Sequence, residues 1–590
     1  MGGILGRLFK EFAVTICAAI LISGLVSITL TPMLASRFLR ARGEKKKSSR
    51  FHRTAEKAFN FMLRFYEWSL QRVLAHRPVM AGVFVTVLAA TVFLFSKVPK
   101  GFIPDQDNDQ VSVIAEAAQG TSYYQMARYQ QRAVEILRSE PNVETVMSSV
   151  GGSMSGAGTA RMFVQLKPRA QRSLHVTQII EKLRPRLSGF PGVRVFMTVP
   201  PTIRVGGRMS KSSYEFTVQA PDTTELYRQA ERLEREIARL PGVQDVTTDM
   251  QMKNPQVHVA IDRDRAAVLQ LDASHIENAL YDAYGPRWVS TIYAPTNQYR
   301  VLLEIEPKYQ AFADYLSKLY FKPPQGPLVP LDAFAKLTQD AGPQSINHSG
   351  QLPSVTISFN LKPGVSLGDA VSQIQEVAAR SLPATVSTSF QGAAKAFQSS
   401  LKNLGLLLTV AVMVVYIVLG VLYESFVHPL TILSGLPSAG FGALLTLLVF
   451  GVDLNIYSFV GLIMLIGIVE KNAIMQIDFA LEAERKEGKS PAQAIYEGCL
   501  IRFRPIMMTT MAALLGALPI SLGYGAGGEA RRPLGMAVVG GLLFSQLMTL
   551  YLTPVVYTYM AAILGQWGKR KRGGVPSPAT QPGLRDGIEQ

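Results

Sequence analysis

The chain has 590 residues, 48% of them hydrophobic, with a positive mean hydropathy and a formal net charge of +17. It is too long for one domain and too apolar for an ordinary soluble protein, which leaves a membrane protein with soluble parts. Its basic residues gather beside apolar segments, at Arg37, Arg40, Arg42, Lys45 to Lys47 and Arg50 after the first and at Lys569 to Arg572 after the last, so the charge signals topology rather than nucleic-acid binding.

Phe12 to Ala35 is an apolar run too long for a signal h-region. The larger basic cluster follows it, which places its C-terminal end in the cytoplasm and Met1 outside. Residues 51 to 77 carry Phe59, Met62, Leu63, Tyr66 and Leu70 at helical spacing, the pattern of a helix lying on the cytoplasmic membrane face or of a solvated linker helix. Further spans are predicted at Val79–Phe95, Leu404–Tyr423, Pro429–Phe450, Leu454–Leu481, Ile506–Tyr524 and Leu534–Leu564, seven in all. An odd number places Arg485, Lys486, Lys489, Arg502, Arg504 and the C-terminal cluster on the inside. Cys17 falls in an apolar segment and Cys499 in a predicted basic loop, so no disulfide framework is implied.

The same topology exports Pro99 to Lys402. Strand and helix patterns alternate there: 111–117, a helix near 123–138, 143–149, 161–166, a helix near 174–187, and 193–199. This is the β-α-β-β-α-β order of a ferredoxin-like split unit. A second round starts with 214–220, a helix over 223–240 and 243–249, and finishes only with 354–360, a helix near 367–381 and 385–390. Pro141, Pro191 and Pro241 each separate a helix from its return strand. The interruption, 254–351, reads as an inserted subdomain.

The segment Leu454–Leu481 carries Glu470, Lys471 and Asn472 inside it. A helix ending at Val469 would rise only about 24 Å, short of a hydrocarbon core about 30 Å thick, so Lys471 is expected to be embedded and functional rather than interfacial. A buried ammonium needs a carboxylate. Glu470 points about a third of a turn away, and Asp478, on the face of Lys471, lies near the cytoplasmic boundary. The expected partner is therefore absent from this chain. Arg502 and Thr509 share a helix face if that helix runs through Pro505 at its first turn, and with Lys471 they form a candidate polar cluster. Glu470, Asn472 and Asp478 are accessory polar positions. The glycine-rich stretch with Gly151, Gly152, Ser153, Met154, Gly156 and Gly158 has no lysine or helix start to make a phosphate loop and reads as a flexible loop, over a ligand cleft or as a plain linker. No catalytic triad or metal-ligand spacing emerges, and no enzyme or cofactor is expected.

Leu21, Ser23, Leu25, Leu30, Thr31 and Pro32 match Leu543, Ser545, Leu547, Leu552, Thr553 and Pro554 at constant offset, the sign of a transporter built from two repeats. The chain then divides into the closing span of a preceding half (1–40), a basic and amphipathic cytoplasmic connector (41–77), a span (78–98), a first unit (99–210), a second (211–253 and 352–395) holding the insertion (254–351), a five-helix bundle (396–565) and a basic disordered tail (566–590).

The segments GGILGRLFKEFAV, YESFVHPLTILSGLPSAG, GIVEKNAIMQIDFALEA, RFRPIMMTTMAALLGALP and RRPLGMAVVGGLLFSQLMTLYLTPVVY resemble the C-terminal half of resistance-nodulation-division (RND) efflux permeases, nearest the multidrug branch that combines two related inner-membrane subunits. The resemblance reaches about Ala561. It implies an α/β membrane protein with seven transmembrane helices, a periplasmic pair of ferredoxin-like porter subdomains and an inserted docking subdomain. It further implies proton-driven drug efflux from the inner membrane of a Gram-negative bacterium, as a trimer, homomeric or heteromeric, with a periplasmic adaptor and an outer-membrane channel. The proton relay of the family falls on Lys471, Arg502 and Thr509, and its switch loop on 150–160, without the aromatic residues some relatives carry there. Its paired aspartates belong to an N-terminal half that would be a partner of this chain. Glu470 stands where close relatives often have another lysine. A metal-efflux relative and a non-transporting partner or export accessory subunit are the alternative readings.

Overall fold

The computed structural model of the protein describes residues 3–38, 50–104, 106–151, 158–189, 191–203, 205, 211–250, 252–285, 287–343, 345–525 and 527–572. The basic cluster at 39–49 and the tail from 573 lie outside them. Seven helical segments among the described residues are long and apolar enough to cross a membrane. The chain opens with α1 (Gly3–Phe38), α2 (Arg50–Ala75) and α3 (Arg77–Lys97). Of these, α1 and α3 are candidate spans.

The amphipathic α2 lies across the bundle rather than standing free. Tyr66 stacks on Phe503 with ring centroids 4.7 Å apart and donates from its hydroxyl to the Leu550 carbonyl at 2.8 Å. Ser69 and Tyr551 exchange a hydroxyl hydrogen bond at 2.9 Å. Phe59, Leu63, Tyr66 and Leu70 make the packed stripe, whereas Met62, one position off it, is exposed.

Outside the bundle, the first unit comprises β1 (Gln110–Ala117), α4 (Tyr123–Arg138), β2 (Val143–Val150), β3 (Thr159–Leu166), α5 (Val176–Leu187) and β4 (Val193–Thr198). Its antiparallel sheet has the order β2-β3-β1-β4. Both helices pack on one face of the sheet, burying Met126, Ala133 and Leu137 of α4 and Val176, Ile179, Ile180, Leu183 and Leu187 of α5 against Val113, Ala115, Met162 and Val164. The second unit begins with β5 (Tyr214–Gln219), α6 (Thr223–Ala238) and β6 (Val243–Thr248). The chain then leaves through β7 (Asn254–Ile261), α7 (Arg263–Val268), α8 (Ala273–Tyr284), the hairpin β8 (Arg287–Tyr293) and β9 (Gln298–Leu303), α9 (Pro307–Gln310), α10 (Asp314–Ser317), β10 (Tyr320–Phe321), β11 (Val329–Pro330) and β12 (Ala335–Gly342). Because β12 pairs with β7 from Ala335↔Ile261 to Gly342↔Asn254, the excursion departs and returns at one place and keeps its own core around Ile276, Leu331 and Phe334. After β13 (His348–Ser349), the second unit closes with β14 (Leu352–Leu361), α11 (Leu367–Ser381) and β15 (Ser387–Gln391). Here β6 pairs with β14, β14 with β5 and β5 with β15, the same strand arrangement as in the first unit.

The remaining spans are α12 (Gly392–Tyr423), the broken pair α13 (His428–Leu433) and α14 (Leu436–Val449), α15 (Ile456–Glu487), α16 (Pro491–Ser521) and α17 (Gly528–Arg572). The break ahead of α14 fits Pro437, which cannot donate a helical hydrogen bond at that point. Two expectations are corrected by α16. It starts at Pro491, so Pro505 is interior and not at a first turn, and Cys499 is a buried helical residue rather than part of a loop. The turn before Pro505 is amphipathic and packs under α2, which masked it as a span.

Backbone hydrogen bonds tie the bundle to the second unit through residues 99–101, the connector that leads from α3 to β1. The amide of Leu454, just before α15, donates to the Pro99 carbonyl at 2.8 Å, Gly101 donates to Leu454 at 3.2 Å, and Gly368 of α11 donates to Lys100 at 2.9 Å. Ile456, the first residue of α15, belongs to the core of the second unit with Phe102, Val243 and Phe397.

Candidate functional site

The helix α15 is fixed at its start by a capping box: Asn455 Oδ1 accepts from the Ser458 amide at 3.1 Å, and Ser458 Oγ accepts from the Asn455 amide at 2.8 Å. With the start fixed, the helix runs unbroken through Glu470, Lys471 and Asn472. Asn472 is buried towards α16 and α17. Its Nδ2 donates to Thr510 Oγ1 at 3.2 Å and to Gln546 Oε1 at 3.1 Å, while the Thr510 hydroxyl donates to the same Gln546 oxygen at 2.7 Å. Three apolar spans are thus joined by one closed polar network, whose members have no competing water in a hydrocarbon environment.

Lys471 is exposed at a groove that Asn472 and Thr510 also line. The groove, of about 580 Å³, is lined further by Ile16 and Ile20 of α1, Gly467, Thr509 and Ala513. No carboxylate among the described residues pairs with its ammonium group. Glu470 is 4% exposed and lies on the flank shared with Ala473 and Ile477, which pack with Leu419 and Tyr423 of α12 and Ile432 of α13. Its Oε1 has no hydrogen-bond partner among the described residues, and the same holds for both amide atoms of Gln476 and for Thr553 Oγ1. Asp478 accepts from the Tyr423 hydroxyl and so belongs to the α12 contact.

The structure therefore brings Lys471 and Thr509 to one groove and leaves Arg502 elsewhere. The Arg502 guanidinium sits 5.7 Å from the Phe479 ring centroid, roughly 12 Å further along α15 than Lys471. Thr509 donates to the Ile506 carbonyl at 3.1 Å, within its own helix. The reading of the sequence missed Thr510 and Gln546. Gln546 had a signal, since an uncharged amide inside an apolar span is costly unless it is hydrogen-bonded.

Between the two units lies a cleft of about 230 Å³, lined by Phe102, Gln106, Phe163, Thr202, Tyr214 and Glu215. A second cavity of about 540 Å³ opens below it against the bundle, with Thr198, Arg184, Asn360, Asp453, Glu529 and Arg532 on its walls. Burial pushes Asp453 above the usual carboxylate range, and the nearby Asp369 adds to the shift. Of the glycine-rich loop, Gly152, Ser153, Met154 and Gly156 lie outside the described residues. Gly151, at φ 71°, donates its amide to the Thr159 carbonyl at 2.9 Å, and the Gly158 carbonyl accepts from Ala117 at 2.9 Å, so both ends of the loop are tied into the first sheet. Among the described residues no group of three or more His, Cys, Asp or Glu side chains is arranged to hold a metal ion.

Seven helices long and apolar enough to cross a membrane, a polar network buried among them and a large two-unit region outside the bundle make up the permease fold of the RND class. The chain belongs to the AcrB/AcrD/AcrF family, whose pattern matches residues 1–561. Two crystal structures of a heavy metal efflux pump, in crystal forms II and I, are similar to it, with TM-scores of 0.78 and 0.77 and identities of 24% and 23%. Each match covers 86% of this chain, and 53% and 52% of the pump chains, so the protein spans about half the length of those structures. At these identities the likeness concerns the fold.

Proposed function

We propose that the chain is the C-terminal half of a proton-coupled RND permease that exports amphiphilic compounds, with the two βαββαβ units as ferredoxin-like periplasmic porter subdomains and residues 254–351 as the docking subdomain. The observation that carries the reading is Lys471: an ammonium group in a membrane-spanning helix, facing an open groove, with no carboxylate beside it among the described residues. Such a charge requires a counter-charge, and the groove is where an acidic helix of an N-terminal half would pack. Proton arrival at that carboxylate weakens its hold on Lys471 and lets the helices shift, which ties proton flow to movement of the units outside. Thr509 shares the groove. Arg502 acts from further along the bundle, and Glu470, Asn472 and Asp478 set the local polarity. The glycine-rich loop is the switch loop. The working assembly on this reading is an inner-membrane trimer, homomeric or heteromeric, with a periplasmic adaptor and an outer-membrane channel.

A cleft walled by Phe102, Phe163 and Tyr214 suits an amphiphile, because aromatic faces bury apolar surface while Gln106 and Glu215 hold a polar end. Metal export is the second reading, favoured by the pumps in the two similar crystal structures. Dye and metal accumulation in cells lacking related pumps, with the chain expressed alone or with an N-terminal half, tests both. Dye efflux is expected only from the co-expressed halves and is abolished by Lys471→Ala at unchanged protein level. Export of metal but not dye selects the second reading, export of neither selects an accessory role, and undiminished efflux by the alanine variant removes Lys471 from the mechanism.

A further inference from the structure

The two helices joined by the Asn472–Gln546 hydrogen bond each hold a different unit outside the membrane. On one side, α15 grips the second unit: Ile456 is inside that unit's core, and Leu454 hydrogen-bonds to Pro99 and Gly101, in the connector ahead of β1 whose Lys100 carbonyl accepts from Gly368 of that unit. On the other side, the start of α17 is joined to the first unit by a side-chain hydrogen bond. His175 caps α5, its Nδ1 accepting from the Thr177 amide at 3.3 Å. That acceptor role places the imidazole proton on Nε2, which donates to Glu529 Oε2, in the first turn of α17, at 2.7 Å. Asp107 braces the same helix start: its Oδ2 accepts from the Val176 amide at 3.0 Å and lies 3.8 Å from His175 Nε2.

The opposite flank of α5 reaches across to the second unit. Arg184 Nη1 donates to Asp245 Oδ1 at 2.5 Å, and Asp245 Oδ2 accepts from Asn360 Nδ2 at 3.0 Å. Asp245 holds a left-handed backbone, φ 53°, where the β6–β14 pairing is irregular. A non-glycine residue there costs about 1 kcal/mol or more, and such irregularities serve to re-aim a side chain. Between its two contacts α5 is rigid, because five of its side chains are buried in the first unit.

We propose that the cleft between the two units is worked by sliding of α15 against α17, with His175–Glu529 as the contact that carries the motion of α17 into the first unit and Arg184–Asp245 as the clasp that holds the cleft shut. The proposal deepens the transport reading above and rests on it. The bundle drives the units in opposition because Ile456 of α15 sits in the core of the second unit while Glu529 of α17 holds the N-cap of α5 in the first. His175, Glu529 and Arg184 are positioning residues, since none of them touches the embedded lysine.

The test uses the complete pump with both halves co-expressed. His175→Asn keeps a cap acceptor for α5 but is too short to reach Glu529, and Glu529→Ala removes the carboxylate. Each is expected to lower the maximal dye efflux rate about tenfold, with the double variant no slower than either single one and the half-saturating dye concentration unchanged. Rates within about twofold of wild type, or losses that multiply in the double variant, overturn the coupling. A wild-type pump that exports no dye overturns the transport reading instead. The coupling is then judged on the purified chain carrying Cys17→Ser and Thr198→Cys, by the rate of maleimide labelling in the cleft. Gln546→Leu, which loosens α15 from α17, is expected to change that rate about fivefold in the otherwise native protein and to leave it unchanged beside His175→Asn. The same change in both backgrounds overturns the proposal.

Discussion

Asp478 accepts a hydrogen bond from the Tyr423 hydroxyl at 2.5 Å, so the carboxylate that shares a helix face with Lys471 is committed to α12. Both residues are on α15, and by spacing alone Asp478 could serve the lysine two turns away. The tyrosine removes that option by orienting the carboxylate sideways. Tyr423→Phe should cost about 1.5 kcal/mol, the usual value of a hydrogen bond to a charged group. Thermal unfolding in detergent should give equal losses for Tyr423→Phe, Asp478→Asn and the double variant. A double variant that loses twice as much would mean that the two residues act separately.

The Asn472–Thr510–Gln546 network predicts a second pattern. Gln546→Leu leaves the Asn472 amide and the Thr510 hydroxyl buried with one acceptor fewer, at a cost of about 1 kcal/mol, the scale measured for polar contacts between membrane helices. Adding Thr510→Val and Asn472→Leu to Gln546→Leu should recover part of that loss, because an apolar interface has no unsatisfied groups. Progressive loss through the series would contradict the network.

Glycines set how closely α14 and α17 approach. A Cβ on Gly540 would lie 1.9 Å from Thr446 Oγ1, and one on Gly442 would lie 2.6 Å from the Gly540 carbonyl oxygen. Because the second contact is with backbone, no rotamer relieves it. Gly442→Ala should therefore force the helices apart and lower the yield of folded, detergent-stable protein, whereas Gly467→Ala, with open space around its Cβ, should not. Equal yields of the two variants would refute the close packing.

Arg172 gives a pH dependence. Its side chain is fully buried and donates to Asp107 and Asp109 and to the carbonyls of Lys167 and Leu174. Burial alone would raise Asp107, but the Arg172 guanidinium and the Val176 amide outweigh it and hold the carboxyl below its ordinary range. A depressed carboxylate contributes stability that is present above its unfolded pKa, about 4, and is lost as pH falls through the lower folded value. Arg172→Met should cost about 3 kcal/mol at pH 7. The gap to wild type should narrow below about pH 4, where Asp107 protonates in the variant and no longer leaves an unpaired charge. Unfolding of the first unit followed at pH 7, 5 and 3 checks the trend, and a gap that widens in acid would reverse the sign.

Much of this was legible in the sequence where local pattern decides structure. The helices over 123–138 and 367–381 follow their apolar periodicity to the residue, and the succession of strands and helices along each unit follows from alternation and turn prolines. The beginning of α16 was hidden because Gln493, Glu497 and Arg502 break its hydropathy, and its buried stripe is explained only by α2, more than 400 residues earlier in the chain. Lys471 was conspicuous because charge in an apolar segment is costly. Gln546 carried a weaker signal of the same kind, an uncharged amide between Ser545 and Leu547, whose cost is smaller than that of a charge. His175 and Glu529 are 354 residues apart, and nothing local in either stretch points to the other.

At the end of the bundle away from the two units, α2 straps α16 to α17 by the Tyr66–Phe503 stack and the hydrogen bond to Leu550. On the proposed coupling, that strap is the pivot. From Leu550 back to Glu529, α17 is a lever arm of about 32 Å, at 1.5 Å for each residue. Tilting such an arm by about 4° swings its far end by about 2 Å, more than a hydrogen bond can follow without dragging its partner. A displacement near the embedded network too small to break its packing thus arrives at the first unit magnified.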